Sequence, residues 1–240
     1  MARQPILNIT TVRRLKALPW ASDQQLEKLI SHMALKYVER HVTLFSEGAS
    51  SEALYLLVSG AMKLSLRSIE GEDVLVSLIG PGEFFGITSL LPGMSRVFQG
   101  TAFSDCWVAA IRPETFVTTL LGIPFSDFSE LTGSTVSRWA ALLYRYTRFQ
   151  GLGLQQRLAL ALLELSQKFG VQDARGMILI LQVTHEDLAD LVGASRQKVT
   201  EHMKELERRQ AIFRDGRKLI VVPERLQEIV GIAQAGQHHT

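Results

Sequence analysis

At 240 residues, with 46% apolar and 21% charged side chains and a net charge of +2, the chain has the composition of a folded protein with room for two domains. A single cysteine, Cys106, excludes an intrachain disulfide framework and a four-thiolate iron–sulfur cluster built from one chain. No apolar run approaches the roughly 18 residues of a membrane span and the N-terminus lacks an apolar leader core, so a cytoplasmic protein without membrane partners is expected.

From about Ile6 to Ala34 the pattern is helical, with Leu26, Leu29, Ile30 and Met33 spaced for one buried face. The period then changes to two. MKLSLR (62–67) alternates strictly, and VTLF, ALYLLV, VLVSLI and CWVAAI are short β-rich runs separated by Gly48, Gly60, Gly71, Gly80-Pro81-Gly82 and Gly100. Short strands at this spacing predict a barrel, roll or sandwich. A long helix is predicted over 124–150, with Phe128, Thr132, Val136, Trp139, Leu143 and Tyr146 on one stripe and Leu131, Thr135, Leu142 and Phe149 on the next. A helix with two apolar stripes needs two partners, and the second is expected to be the same helix of another subunit. Gly151 and Gly153 interrupt the pattern as a hinge before a helix from Gln155 to Phe169.

The most informative stretch is 184–212. Thr184 is placed to N-cap a helix with Asp187 reciprocating, and Leu188, Ala189, Leu191 and Val192 form its buried side. Gly193 supplies a turn. Ser195 then caps a second helix in which Val199, Met203 and Leu206 make a core stripe, while Arg196, Gln197, Thr200, Glu201 and Lys204 project from the other side. That is the pattern of a helix-turn-helix with its recognition helix. Asp215-Gly216 in FRDGRKLIVVP is a hairpin signal, so a wing follows, carrying Arg214, Arg217 and Lys218. Between Ser195 and Lys218 there are eight Lys/Arg against four Asp/Glu, a local +4, the electrostatic footprint expected for phosphate contact.

This order of parts resembles the catabolite activator/fumarate-nitrate regulator (CRP/FNR) family of bacterial transcription factors. The residues that carry the resemblance are LFSEGASSEALYLLVSGAMKLSL (44–66), PGEFFG (81–86), LQQRLALALLEL (154–165) and VTHEDLADLVGASRQKVTEHMKELE (183–207). It implies an α+β fold. A cyclic-nucleotide-binding-type β-roll, a double-stranded β-helix, spans 1–123; a dimerisation helix spans 124–150; a winged helix-turn-helix spans 151–240. It also implies a homodimer on double-stranded DNA, with RNA polymerase as a further partner, binding a pseudo-palindromic promoter site. By position, Arg196 matches the family's base-reading arginine, suited to bidentate contact with guanine. Thr184, Ser195 and Lys198 match phosphate-holding positions, and Lys204 adds a backbone contact. Gln197 stands where many relatives have glutamate and favours adenine, and Glu201 stands where the best-studied activator has a second arginine; both depart from the pattern for a TGTGA-type half-site.

The effector pocket departs further. Relatives that bind cyclic AMP use a glycine-glutamate pair, an arginine-serine pair and a threonine-serine pair. Here Gly86 is followed by Ile87, Arg96 by Val97, and Leu142-Leu143 fall where the hydroxyl pair belongs. An apolar lining does not accept a ribose hydroxyl, and an isolated loop arginine is expected at the surface, so control by ordinary cyclic AMP is not expected. Three alternatives stay open: a pocket filled by its own side chains, an apolar or haem-like effector, or a nucleotide held in a non-standard mode by Gly86 and Arg96. No cofactor is assigned; haem would draw an axial ligand from His32, His41, Met94 or Cys106. An enzyme is not expected. The strand-rich stretch after Ala34 contains one histidine, His41, and the chain has no His-x-His, P-loop or GxGxxG, so neither a metal site nor a nucleotide-hydrolysing loop is foreseen.

Overall fold

In a computed structural model the chain is described over residues 4–67, 73–120 and 151–231. It forms two compact units, Met1–Leu143 and Tyr144–Thr240. The predicted dimer helix over 124–150, with Leu142 and Leu143, lies outside the described residues.

The first unit opens with two helices, α1 (Ile9–Arg14) and α2 (Asp23–Ser31), where the sequence reading had one helical stretch. The break has a backbone cause: Lys16 and Leu18 take left-handed φ of 53° and 51°, and Pro19 follows. Asn8 caps α1 by accepting from Thr11 N, and Ser22 with Gln25 forms a capping box at α2. Ala34, read as the helix end, instead begins β1 (Ala34–Val38).

The remaining strands are β2 (Thr43–Phe45), β3 (Leu54–Ser59), β4 (Met62–Arg67), β5 (Asp73–Ile79), β6 (Phe84–Phe85), β7 (Gln99–Ala102) and β8 (Cys106–Ile111). A 3-10 turn spans Ile87–Leu90, and α3 (Pro113–Leu120) closes the described part. All pairings are antiparallel, in two four-stranded sheets ordered β1-β8-β3-β6 and β2-β7-β4-β5. The run ALYLLV is apolar throughout because β3 is buried on both faces. Leu54, Leu56 and Val58 pack with Leu26 and Leu29 of α2, while Tyr55 and Leu57 face Met62, Ile79 and Val108 in a second cluster. The period-two alternation of a strand divides those side chains between two cores.

The second unit contains α4 (Leu154–Phe169), the hairpin β9 (Gly170–Asp173) and β10 (Gly176–Leu179), α5 (His185–Val192), α6 (Arg196–Arg208), the hairpin β11 (Ile212–Asp215) and β12 (Lys218–Val221), and α7 (Pro223–Val230). Its sheet runs β11-β12-β10-β9. Leu158, Ala159, Leu162 and Leu165 of α4 are buried, and the helix packs against α5 and α7. The fold is α+β, with the predicted winged helix pair in place.

Candidate nucleic-acid interface and effector pocket

Three hydrogen bonds fix where α5 starts. Thr184, in extended conformation, accepts from Asp187 N at 3.1 Å, and its backbone N and hydroxyl both donate to Asp187 Oδ2, at 2.8 and 2.7 Å. This reciprocal cap satisfies helix-end donors that would otherwise be orphaned. Gly193 ends the helix at φ 62°. A Cβ there would meet nothing within 4 Å, so the requirement for glycine is conformational rather than steric. Ser195 Oγ then accepts from Lys198 N and α6 begins.

On α6 the side chains of Val199, Met203 and Leu206 are fully buried, at most 1% exposed. The opposite face holds Arg196, Gln197, Lys198, Glu201 and Lys204, all exposed, with Thr200 half-buried. No acidic residue occupies the first turn of α6, while Arg196 and Lys198 do. Cations at a helix N-terminus oppose the helix dipole, at about 0.3–1 kcal/mol each. A local rule broken this way marks a surface arranged for an anion rather than for stability.

The wing is a two-residue hairpin at Gly216-Arg217, with Asp215 paired to Lys218. Arg175 Nη2 bridges to Asp215 Oδ2 at 2.8 Å and its Nε to Asp173 at 3.2 Å, tying the wing tip to the β9–β10 hairpin. Arg196, Lys198, Lys204, Arg217 and Lys218 are exposed and hold no ion pair among the described residues.

Beyond Thr184 and Ser195, which cap their helices, further predicted contacts are already engaged. Arg214 donates through Nε to Glu207 Oε1 at 3.0 Å and lies with Nη2 2.7 Å from His185 Nε2. Thr200 Oγ1 lies 2.8 Å from His185 Nδ1 and donates to Arg196 O at 2.9 Å. Sequence reasoning missed His185, because its partners stand 15 and 29 positions away and only the fold brings them together. Gln197 Nε2 donates to Glu201 Oε1 at 3.2 Å. That leaves the amide oxygen as an acceptor and the second amide hydrogen as a donor.

The pocket turn differs from expectation in one respect. Arg96 is not at the surface; it is 3% exposed. Its Nη1 donates to Gly86 O at 2.9 Å and its Nη2 to Ala53 O at 2.7 Å. The guanidinium carbon lies 4.5 Å over the Phe45 ring and 5.5 Å from the Tyr55 ring centre. Phe45, Tyr55 and Phe85 themselves stack at 5.3–6.1 Å. Burial pulls the guanidinium below its ordinary range, and Tyr55 and Glu52 oppose that shift; an arginine remains charged regardless. Gly86 has φ 76°, and a Cβ on it would stand 2.6 Å from Arg96 Nη1. The glycine therefore makes room for the arginine. Ile87 packs into the α2–β3 cluster, and Val97 is half-buried beside Arg96. Among the described residues, Arg96 is thus held by the carbonyls of Gly86 and Ala53 and covered by the Phe45 ring.

The four axial-ligand candidates for haem are scattered. His32 Nδ1 bonds to Lys28 O at 2.7 Å, His41 and Met94 are exposed, and Cys106 is buried between strands with its thiol pushed up to about 12 by burial. A thiol held protonated inside a core is a poor source of thiolate. Among the described residues no cluster of three or more His, Cys, Asp or Glu is arranged to hold a metal.

Family profiles match both units: a cyclic nucleotide-binding domain over residues 35–122 and a Crp-like helix-turn-helix domain over residues 156–229. The chain is 30% identical over 181 residues to the cyclic AMP receptor protein of Thermus thermophilus, covering 70% of this chain and 76% of that one. It is 27% identical over 188 residues to the CRP-like cAMP-activated global transcriptional regulator of Mycobacterium tuberculosis, covering 75% and 80%. Among solved structures, FixK2 from Bradyrhizobium japonicum superposes with a TM-score of 0.71 at 18% identity, over 84% of this chain and 98% of that one. The c-di-GMP responsive regulator CLP of Xanthomonas campestris gives 0.67 at 20% identity, over 84% and 99%.

Proposed function

Because this chain belongs to the CRP/FNR family of DNA-binding transcription regulators, we propose that it acts as a homodimer on a pseudo-palindromic promoter site and is not switched by ordinary cyclic AMP. Dimerisation through 124–150 would place one α6 helix in each major-groove half-site, roughly one helical turn of DNA apart. Arg196 reads a guanine edge; Ser195, Lys198, Lys204, Arg217 and Lys218 hold phosphates, with Thr184 at the start of α5 beside them. Gln197, held by Glu201, keeps both an acceptor and a donor, which suits the N6/N7 edge of adenine. RNA polymerase is the partner expected in the cytoplasm, and no enzymatic step is assigned.

The observation that carries the effector half of this reading is Arg96. Its fork is committed to Gly86 O and Ala53 O and its plane is covered by Phe45, so a cyclic phosphate would have to displace two hydrogen bonds and a ring contact. A second reading has one observation in its favour. Arg96 Nε is buried without an acceptor among the described residues, and a nucleotide bound in a non-standard mode at Gly86 and Arg96 would supply one.

The test is selection of DNA sites by the purified, nucleotide-free chain, followed by footprinting and sedimentation. A two-fold symmetric footprint of one dimer without nucleotide is the expected result. Specific binding that appears only with cyclic AMP would overturn the effector half, and a monomer on an asymmetric site would overturn the dimer half.

A further inference from the structure

His185 sits at the first position of α5, half-buried, between the wing and the recognition helix. Its proton arrangement follows from its neighbours. An arginine only donates, so Nε2 must accept from Arg214 Nη2. Thr200 Oγ1 spends its proton on Arg196 O, so it accepts from His185 Nδ1. The ring is therefore neutral with hydrogen on Nδ1. One relay of donors runs from the wing through His185 and Thr200 to the backbone of Arg196.

We propose that His185 is the positioning residue of the DNA-reading surface: as a neutral ring it ties Arg214 of the wing to Thr200 of α6, and on taking a proton it frees the Nη2 end of Arg214 for phosphate while Nε stays on Glu207, so that DNA binding takes up protons. This rests on the reading of the α6 face and wing as the DNA interface. An imidazolium carries hydrogen on both nitrogens, so Nε2–H would confront Arg214 Nη2–H across the present 2.7 Å contact, donor against donor and charge against charge. The contact cannot persist. The charged groups facing the ring are Arg214 from β11, and Arg196 and Glu207 from α6; burial, with Arg214 and Arg196, lowers its affinity for a proton, and Glu207 opposes them. In the free protein the ring is thus neutral at pH 7. Phosphates brought against this surface favour the charged form. Linkage then requires that affinity for DNA rise as pH falls through the titration.

The test measures the affinity of the full-length protein for its selected site from about pH 7.5 to about pH 5.5 at fixed salt, one proton per subunit being at most about tenfold in affinity per pH unit for each subunit. The expected result is a gain of at least about threefold toward low pH, lost in His185→Gln and kept in His202→Gln, whose ring lies on α6. A separate arm follows the His185 ring by NMR in the absence of DNA. Its titration should lie below the ordinary histidine range of about 6.5 and move up in Arg214→Gln. A pH slope unchanged in His185→Gln, or a ring that titrates at the ordinary value in the wild type, would overturn the proposal while leaving the interface intact. Failure to bind any selected site at every pH, with the NMR titration as expected, would instead overturn the interface reading and with it the role in DNA binding.

Discussion

Replacing Arg96 with methionine separates a plug from a clamp. The substitution keeps an extended side chain of similar length but removes the fork that holds Gly86 O and Ala53 O. Orphaning two buried carbonyls costs about 2–6 kcal/mol. Losing the contacts over Phe45 and Tyr55 adds about 1–2 kcal/mol, and relief of the guanidinium's own desolvation offsets several kcal/mol of that. A net loss of about 2–3 kcal/mol is expected, a fall of roughly 6–12 °C in the melting temperature for a unit of this size. Thermal and urea unfolding followed by circular dichroism measure it, with Arg96→Lys, which keeps the charge without the fork, falling between the two. If Arg96 were held in reserve for a ligand, the opposite sign would be seen, since residues strained for function gain stability when replaced by apolar ones. An Arg96→Met protein as stable as the wild type, or more so, would refute the reasoning.

Three further outcomes follow from the same geometry. Arg196→Ala should weaken binding by about 1–3 kcal/mol and relax one base position, read by binding to a set of half-site variants; loss that is uniform across all sequences would place Arg196 on phosphate instead. Gly193→Ala should destabilise the second unit by about 1–2 kcal/mol through its left-handed φ of 62° alone, because the added methyl meets no atom; denaturant midpoints of the two proteins check it. Cys106 should resist thiol reagents at pH 8 in the folded protein and react on unfolding. Since burial raises this thiol to about 12, its share of stability is complete below the unfolded value of about 8.5 and is lost as pH rises toward the folded one.

The helix pair was legible because its signals are local. Thr184 and Asp187 lie three residues apart, Gly193 follows directly, and the Val199–Met203–Leu206 stripe is a plain helical period. The strands with strong period-two or continuous apolar runs were legible for the same reason. β1 was not, since its burial alternates only weakly along ALKYV, and β6 is two residues long. The pocket and the His185 relay were illegible for a different reason. Arg96 meets a carbonyl 43 positions away, and His185 meets Arg214 across 29. Spacing along the chain contains no trace of either contact, so Arg96 reads as a loop residue and His185 as a helix start. The two-stripe helix over 124–150 is an expectation that the described residues do not address.

The stack of Phe45, Tyr55 and Phe85 joins β2 of one sheet to β3 and β6 of the other, with Arg96 lying across it. For a lineage moving toward ligand control through this arginine, the arrangement is an epistatic barrier. Freeing the arginine strands two carbonyls before any ligand is present to satisfy them, and a carboxylate at position 87 or a hydroxyl at 97 brings no benefit while the arginine is still occupied. Each first step is a loss and only the combination is a gain. Sequences close to this one should therefore keep Gly86, Arg96 and the aromatic at 45 together, or exchange all three at once.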